Sequence, residues 1–284
     1  MDSKYKEVIE ANIALHSKMS GDYNSCEPHF RPENIAKVEA RLKKALDAGT
    51  GVGNKMLDLG CGTGFMINIG KKHFKEITGV DVTQAMMDRV DKSGDAKINL
   101  INSDTGSVQV EENSYDIATA NSFLHHLYDT KPTINTAFKA LKKGGVFYAD
   151  LDPNFYFWEA IEKLDRKGNY DPIVKREIEM VTYKDEDIEK NFGVDKDVFN
   201  NAEYGKNIEG GFREEELVAK LKEAGFSKVE FHYDWYIGQG GLINNPAYSK
   251  EDRFTYADIM ESVLQQIQPL SRHLYKYVWF HAYK

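Results

Sequence analysis

The chain has 284 residues, 41% of them hydrophobic, and a formal net charge of −8, which suits a globular protein and disfavours a polyanionic partner. No dense basic stretch interleaved with aromatics is present, so nucleic acid is excluded as a substrate, and no run approaches the roughly 20 apolar residues of a membrane span. Met1-Asp2-Ser3-Lys4-Tyr5-Lys6 lacks the apolar core of a signal peptide, and two cysteines, Cys26 and Cys61, supply neither a disulfide framework nor a zinc ligand set. A cytoplasmic protein without a metal is expected.

Two helical patterns fill the first fifty residues, one on Tyr5, Val8, Ile9 and Ile13, the other on Ile35, Val38, Leu42, Ala45 and Leu46, opened near Pro32 and stopped by Gly49. Between them, Tyr23 to Arg31 is polar and aromatic with a proline on each side of His29, and reads as a loop with something to hold. Gly49, Gly51 and Gly53 alternate, but they follow a helix and precede a strand, so they read as a helix stop and a loop. From Lys55 to Asp152 strands are expected near 55–59, 76–81, 97–102, 115–120 and 145–150, with helices near 64–73, 83–92 and 131–143. That alternation implies a parallel sheet covered on both faces.

The first strand runs through Asp58 into Gly60-Cys61-Gly62-Thr63-Gly64, with the helical Phe65-Met66-Ile67 directly behind. Glycine accepts positive φ and has no Cβ, so a ligand can lie against bare backbone beside a helix N-terminus. The dinucleotide fingerprint Gly-x-Gly-x-x-Gly would need its third glycine where Phe65 or Ile67 stands, which disfavours a pyrophosphate site. Asp81 ends the next apolar strand at about the 20-residue distance expected for a ribose-binding acid, and Asp104 and Asn121 each follow a further strand-like run. All four polar positions should sit at the carboxyl ends of parallel strands, where open α/β sheets bind ligands. Asp is also a common turn former and helix N-cap, so Asp104 alone is as well explained by capping.

The order Asp58-x-Gly60-x-Gly62-x-Gly64, then Asp81, resembles motif I and the ribose acid of the class I S-adenosylmethionine (SAM) dependent methyltransferases. The resemblance implies a seven-stranded, mostly parallel sheet with helices on both faces, a helical N-terminal cap over residues 1–50, and a Rossmann-like SAM-binding domain over 51–284 with insertions at about 154–210 and 238–274. The Lys142-Lys143-Gly144-Gly145 turn, the helical Arg213 to Ala224, the strand-like Val229 to Tyr233 and the strand Tyr277 to Tyr283, expected to be antiparallel, fit the later elements. The cofactor residues it implies are Asp58, Gly60, Cys61, Gly62, Gly64, Asp81, Val82, Met86, Asp104, Thr105 and Asn121, with S-adenosylhomocysteine (SAH) as product. Asp104 would hold the adenine amino group, and part of the N-terminal segment would act as a lid.

Methyl transfer needs mainly an aligned nucleophile in a dry pocket, with a general base for a hydroxyl acceptor. His125 and His126, after the fourth strand, are the candidate bases, although a histidine there often supports the cofactor pocket in this family. Asp152 is a lesser candidate, and His29, Phe157 and Trp158 are expected to line substrate, with packing of the aromatics onto the sheet as the alternative. After the fourth strand stands Asn121-Ser122-Phe123-Leu124 in place of the Asn/Asp-Pro-Pro-Tyr/Phe motif of enzymes that methylate base amino groups or glutamine. A small-molecule acceptor follows, with O-methylation ahead of N- or C-methylation and a monomer or homodimer as the form. An aminopropyl transferase of the same fold and a SAM-binding regulatory subunit without catalysis are the alternatives.

Overall fold

The structure is a computed structural model that describes residues 3–26, 28–180 and 185–284; Glu27, within the expected lid, and 181–184, within the first insertion, lie outside the described residues. Seven strands, β1 (Lys55–Leu59), β2 (Glu76–Asp81), β3 (Lys97–Asn102), β4 (Tyr115–Asn121), β5 (Leu141–Pro153), β6 (Lys228–Tyr236) and β7 (Tyr275–Tyr283), form one sheet in the order β3-β2-β1-β4-β5-β7-β6. β1 pairs in parallel with both β2 and β4, so the chain direction across the sheet reverses at β1/β4 and opens a crevice at the carboxyl ends. β7 is antiparallel to β5 and β6, as expected, which leaves β6 running with the other strands.

The helices are α1 (Ser3–Met19), α2 (Tyr23–Cys26), α3 (Pro32–Ala48), α4 (Phe65–Gly70), α5 (Gln84–Met87), α6 (Lys131–Ala140), α7 (Phe155–Glu162), α8 (Pro172–Met180), α9 (Asp185–Phe192), α10 (Lys196–Ala202), α11 (Glu214–Ala224), α12 (Gln239–Ile243) and α13 (Lys250–Gln266). Side chains alternate along each strand, so successive residues feed two cores. Leu57, Leu59, Ala118, Phe147 and Phe280 pack with Ile134 and Ala137 of α6 and Leu217 and Leu221 of α11. Met56, Ile77, Ile117, Val146 and Tyr148 pack with Val38, Leu42 and Ala45 of α3 and Phe65, Met66 and Ile69 of α4. Burial on both faces is why β1 and β4 read as unbroken apolar runs.

A buried ionic network ties α3 to the far strands. Arg41 donates to Asp150 at 2.8 Å and to Asp234 at 2.7 Å, with its guanidinium 4.3 Å from the Trp279 ring centroid. Lys37 also pairs with Asp234, and the Tyr148 hydroxyl donates to Asp150. Although burial raises it, Arg41 and Lys37 hold the Asp234 carboxyl below its ordinary value.

Strand positions follow the sequence closely, but helix ends do not. The helix expected over 83–92 stops at Met87, because Asp91 turns back to accept from the Ser93 N–H at 2.9 Å and Gly94 takes φ 103°. The helix expected over 131–143 ends at Ala140, and Leu141 instead pairs with Tyr115 on β4. Lys142 donates to the buried Asp116 carboxylate at 2.7 Å, which favours the extended backbone. The segments beyond the minimal sheet fold as α7–α10 and as α12–α13, and the loop between α1 and α3 contains α2 and a 3-10 turn at Pro28–Phe30.

Candidate functional site

The carboxyl ends of β1, β2 and β4 open into a cavity, the place where open α/β sheets bind ligands. Asp58, Gly60, Cys61, Gly62, Asp81, Val82, Met86, Asp104, Thr105 and Asn121 all line it. Gly64 sits just behind, in a left-handed conformation (φ 90°) that starts α4. The opposite wall comes from α1, through Tyr5, Val8, Ile9, Asn12 and His16, and from Tyr23 and His29 of the following segment.

Asp58 is 1% exposed; one carboxylate oxygen accepts from the Thr119 hydroxyl at 2.7 Å and Oδ2 has no hydrogen-bond partner among the described residues. Burial pushes its pKa up to about 7, with a smaller upward push from Asp81. A buried carboxylate oxygen left unpaired costs free energy unless a donor arrives, and a cationic amino group is the matching ligand chemistry. Asp81 accepts from the Gly62 N–H at 2.9 Å and the Thr83 N–H at 2.8 Å, so it holds the glycine loop to β2 while retaining lone pairs for hydroxyls. Burial raises the Asp81 pKa, and these backbone bonds oppose the rise.

Asp104 accepts from the Tyr5 hydroxyl at 2.7 Å and the Gly106 N–H at 3.2 Å. Asn121 Oδ1 is buried without a hydrogen-bond partner among the described residues. The cradle is shaped by absence of side chains: a Cβ on Gly60 would lie 2.0 Å from the Phe123 ring, whereas one on Gly62 would have only the Met86 methyl, at 3.6 Å, nearby. Gly60 is therefore fixed by packing and Gly62 by its φ of 50°.

His126 lines the cavity and donates Nδ1–H to the Ala202 carbonyl at 2.7 Å, which leaves Nε2 with the lone pair. Burial holds its pKa well below 6.5, with His125 adding to the effect. His125 does not line the cavity. Its Nδ1 bonds Asp152 at 2.8 Å, and burial lowers its pKa to about 4. Glu203 lies 3.8 Å from each imidazole; although burial raises it, Lys206 and the neighbouring histidines bring its pKa to about 2. The donor atoms of His125, His126 and Glu203 lie within 4.8 Å of one another, a grouping that sequence spacing did not reveal.

His29 is 5% exposed on the cavity wall, its ring 4.8 Å from that of Phe65, and burial lowers its pKa to about 4. Neither Phe157 nor Trp158, expected to line substrate, lines this cavity. Phe157 packs with Ile161 and Ile178, and Trp158 faces a separate groove with Phe155 and Ile188. The insertion at 154–210 reaches the site region instead through Ala202 and Glu203. Tyr5, Asn12, His16 and Phe123 were not read as site residues, and nothing local marks them: Tyr5 and Asp104 are 99 positions apart.

Strand order, glycine loop and strand-end carboxylates define a class I α/β methyltransferase fold. A methyltransferase domain family matches residues 57–149. The chain is 28% identical over 180 residues to the ubiquinone biosynthesis O-methyltransferase of Aliivibrio fischeri, covering 58% of this chain and 75% of that one. Among solved structures it resembles Haemonchus contortus phosphoethanolamine N-methyltransferase 2 in complex with phosphomonomethylethanolamine and SAH, at TM-score 0.56 and 16% identity, covering all of this chain and 60% of that one. It also resembles the [4+2]-cyclase SpnF, at TM-score 0.55 and 14% identity, over 96% of this chain and 95% of that one. At those identities the structural likeness shows the fold. Residues 57–149 carry a methyltransferase domain, and the chain around them has the fold of the class I SAM-dependent methyltransferases.

Proposed function

We propose that the chain transfers a methyl group from SAM to a hydroxyl of a small-molecule acceptor. The observation that carries this reading is His126: a neutral imidazole on the wall of the cavity that holds Asp58 and Asp81, its tautomer fixed by the Ala202 carbonyl. When bound, SAM supplies an electrophilic methyl on a sulfonium. The unpartnered Asp58 Oδ2 is assigned to the amino group of its methionine part, Asp81 to the ribose hydroxyls, and Asp104 to the adenine amino group, with Tyr5 orienting the Asp104 carboxylate. Residues 1–50, through α1 and the segment after it, serve as the cap that excludes water.

His126 Nε2 accepts the hydroxyl proton as the acceptor oxygen attacks, and Glu203, 3.8 Å away, offsets the charge that the imidazolium then carries. The 28% identical O-methyltransferase supports oxygen as the accepting atom. Turnover of methyl-labelled SAM against fractionated cell extract tests the reading. Labelled product should form with the parent, and His126→Ala should lower kcat by about 10²–10⁴-fold with SAH affinity unchanged. No labelled product from any fraction, with SAH bound, would support a non-catalytic SAM-binding role, and transfer of the aminopropyl group from decarboxylated SAM supplied in its place would support the other alternative.

A further inference from the structure

A second, broader groove of about 710 Å³ opens at the same end of the sheet, where β6 ends at Tyr236 and the antiparallel β7 begins at Tyr275. Its walls come from α8, α12, α13 and the start of α3. In a chain with a formal net charge of −8, this one groove is lined by six basic and four acidic side chains. The lysines among them are paired: Lys37 with Asp234 and Glu261, Lys250 with Glu33, and Lys276 with the buried Glu177.

Arg31, Arg176 and Arg253 line the same groove and make no ion pair among the described residues, although Arg31 lies within electrostatic reach of Glu33 and Arg253 donates Nε–H to the Tyr248 carbonyl at 2.8 Å. Asp258 is the carboxylate there that lacks an ion pair among the described residues. Three arginines without an ion pair and one such carboxylate therefore line the groove, an excess of planar, bidentate donors whose chemistry suits carboxylate and phosphate. Trp235, Tyr236 and Phe254 supply apolar surface alongside. Trp235 holds φ at 59°, unusual for a bulky residue, with its N–H donated to Asp234 at 2.8 Å, and so bends the end of β6 into the groove wall.

One short turn, Pro28–Phe30, runs between the cavity and the groove. His29 lines the cavity and Arg31 lines the groove, two positions apart and so within about 7–8 Å along the backbone. Resting on the methyl-transfer reading above, we infer that this groove holds the acceptor's anionic group, a carboxylate or a phosphate, and that Arg31, Arg176 and Arg253 select acceptors carrying one.

The test titrates the full chain, with saturating SAH, with phenyl phosphate, benzoate and the neutral benzamide, read by calorimetry and by quenching of Trp235 fluorescence with Trp235→Phe as the signal control. At least one anion should bind at least tenfold more tightly than benzamide, and the tighter of the two identifies phosphate or carboxylate as the group. Arg176→Gln combined with Arg253→Gln should weaken that anion at least tenfold, while the double Arg→Lys variant retains more of the binding and SAH affinity and thermal unfolding stay at parental values. Equal binding of anions and amide, or an unaltered anion affinity in the Gln variant, would overturn the inference while SAH binding leaves the methyltransferase site standing. Anion binding by a parent that fails to bind SAH would overturn the acceptor assignment together with the cofactor assignments on which it rests.

Discussion

Asp58 sets two demands against each other, since it is buried almost completely yet must be ionised to hold a cationic amino group. With its pKa pushed up to about 7 by burial, the empty site is largely protonated at pH 6 and ionised at pH 8. Binding that needs the carboxylate then takes up the cost of deprotonation at the lower pH, about 1.4 kcal/mol per pH unit below the pKa. SAM affinity should therefore rise roughly tenfold between pH 6 and pH 8 by calorimetry, and Asp58→Asn should bind weakly with a flat profile. A parent whose affinity is equal at both values would exclude Asp58 as the ammonium partner. Asp81→Ala should weaken SAM by about 1.5–3 kcal/mol, the range for hydrogen bonds to a charged group. Because Asp81 also accepts from Gly62 and Thr83, its loss should in addition raise hydrogen exchange at those two amides, which a role confined to the ligand would leave unchanged.

Helix α3 illustrates how one element joins distant strands. Its apolar stripe, Val38, Leu42 and Ala45, packs on the sheet, while Arg41 on the same helix meets Asp150 of β5 and Asp234 of β6. Removing the guanidinium strands two buried carboxylates, so Arg41→Ala should destabilise the protein by about 3–5 kcal/mol in urea unfolding. Leu42→Ala, which only opens a cavity, should cost about 2–5 kcal/mol and leave the acid side of the stability profile unaltered. At the other wall, α1 packs on α10 and carries Tyr5 to Asp104. If α1 and segment 20–31 form a cofactor-gated cap, SAH should protect 20–31 from limited proteolysis before any other segment. Equal cleavage with and without SAH would remove gating from that segment.

Across the whole molecule, buried neutral histidines shape the pH dependence of stability. Burial lowers His29, His125 and His232 to about 4 and His281 to about 3. Each folded-state pKa lies below the ordinary 6.5, so between 6.5 and 4 the unfolded chain binds more protons and stability falls as the pH is lowered. Asp58 acts in the opposite sense between about 7 and 3.8, because there the folded state binds the extra proton. His126 adds to these imidazoles and the raised Asp81, Asp152 and Glu261 carboxyls add to Asp58, so five imidazoles against four carboxyls predict a fall in the urea midpoint from pH 6.5 to pH 4 that is smaller than the imidazoles alone would give. A midpoint that rises over that range would mean that the carboxyls outweigh the imidazoles.

The sequence by itself determined the layered sheet, because strands buried on both faces must be apolar runs and helices between them must show a 3.6-residue period. It also placed Asp58, Asp81, Asp104 and Asn121 at strand ends, and the spacing of Gly60, Gly62 and Gly64 separated this loop from a dinucleotide site. Helix ends such as Met87 and Ala140 were not legible, since an Asx turn at Asp91 and the pairing of Lys142 with Asp116 override local propensity. Only the tertiary structure decided which side chains share a cavity. It moved Phe157 and Trp158 away from the cavity, brought Tyr5 to Asp104 across 99 positions, and set Glu203 beside His125 and His126. The reason is physical: a strand end is fixed by local pattern, whereas the wall that a helix presents to it depends on how the intervening insertions pack, and no short-range periodicity encodes that.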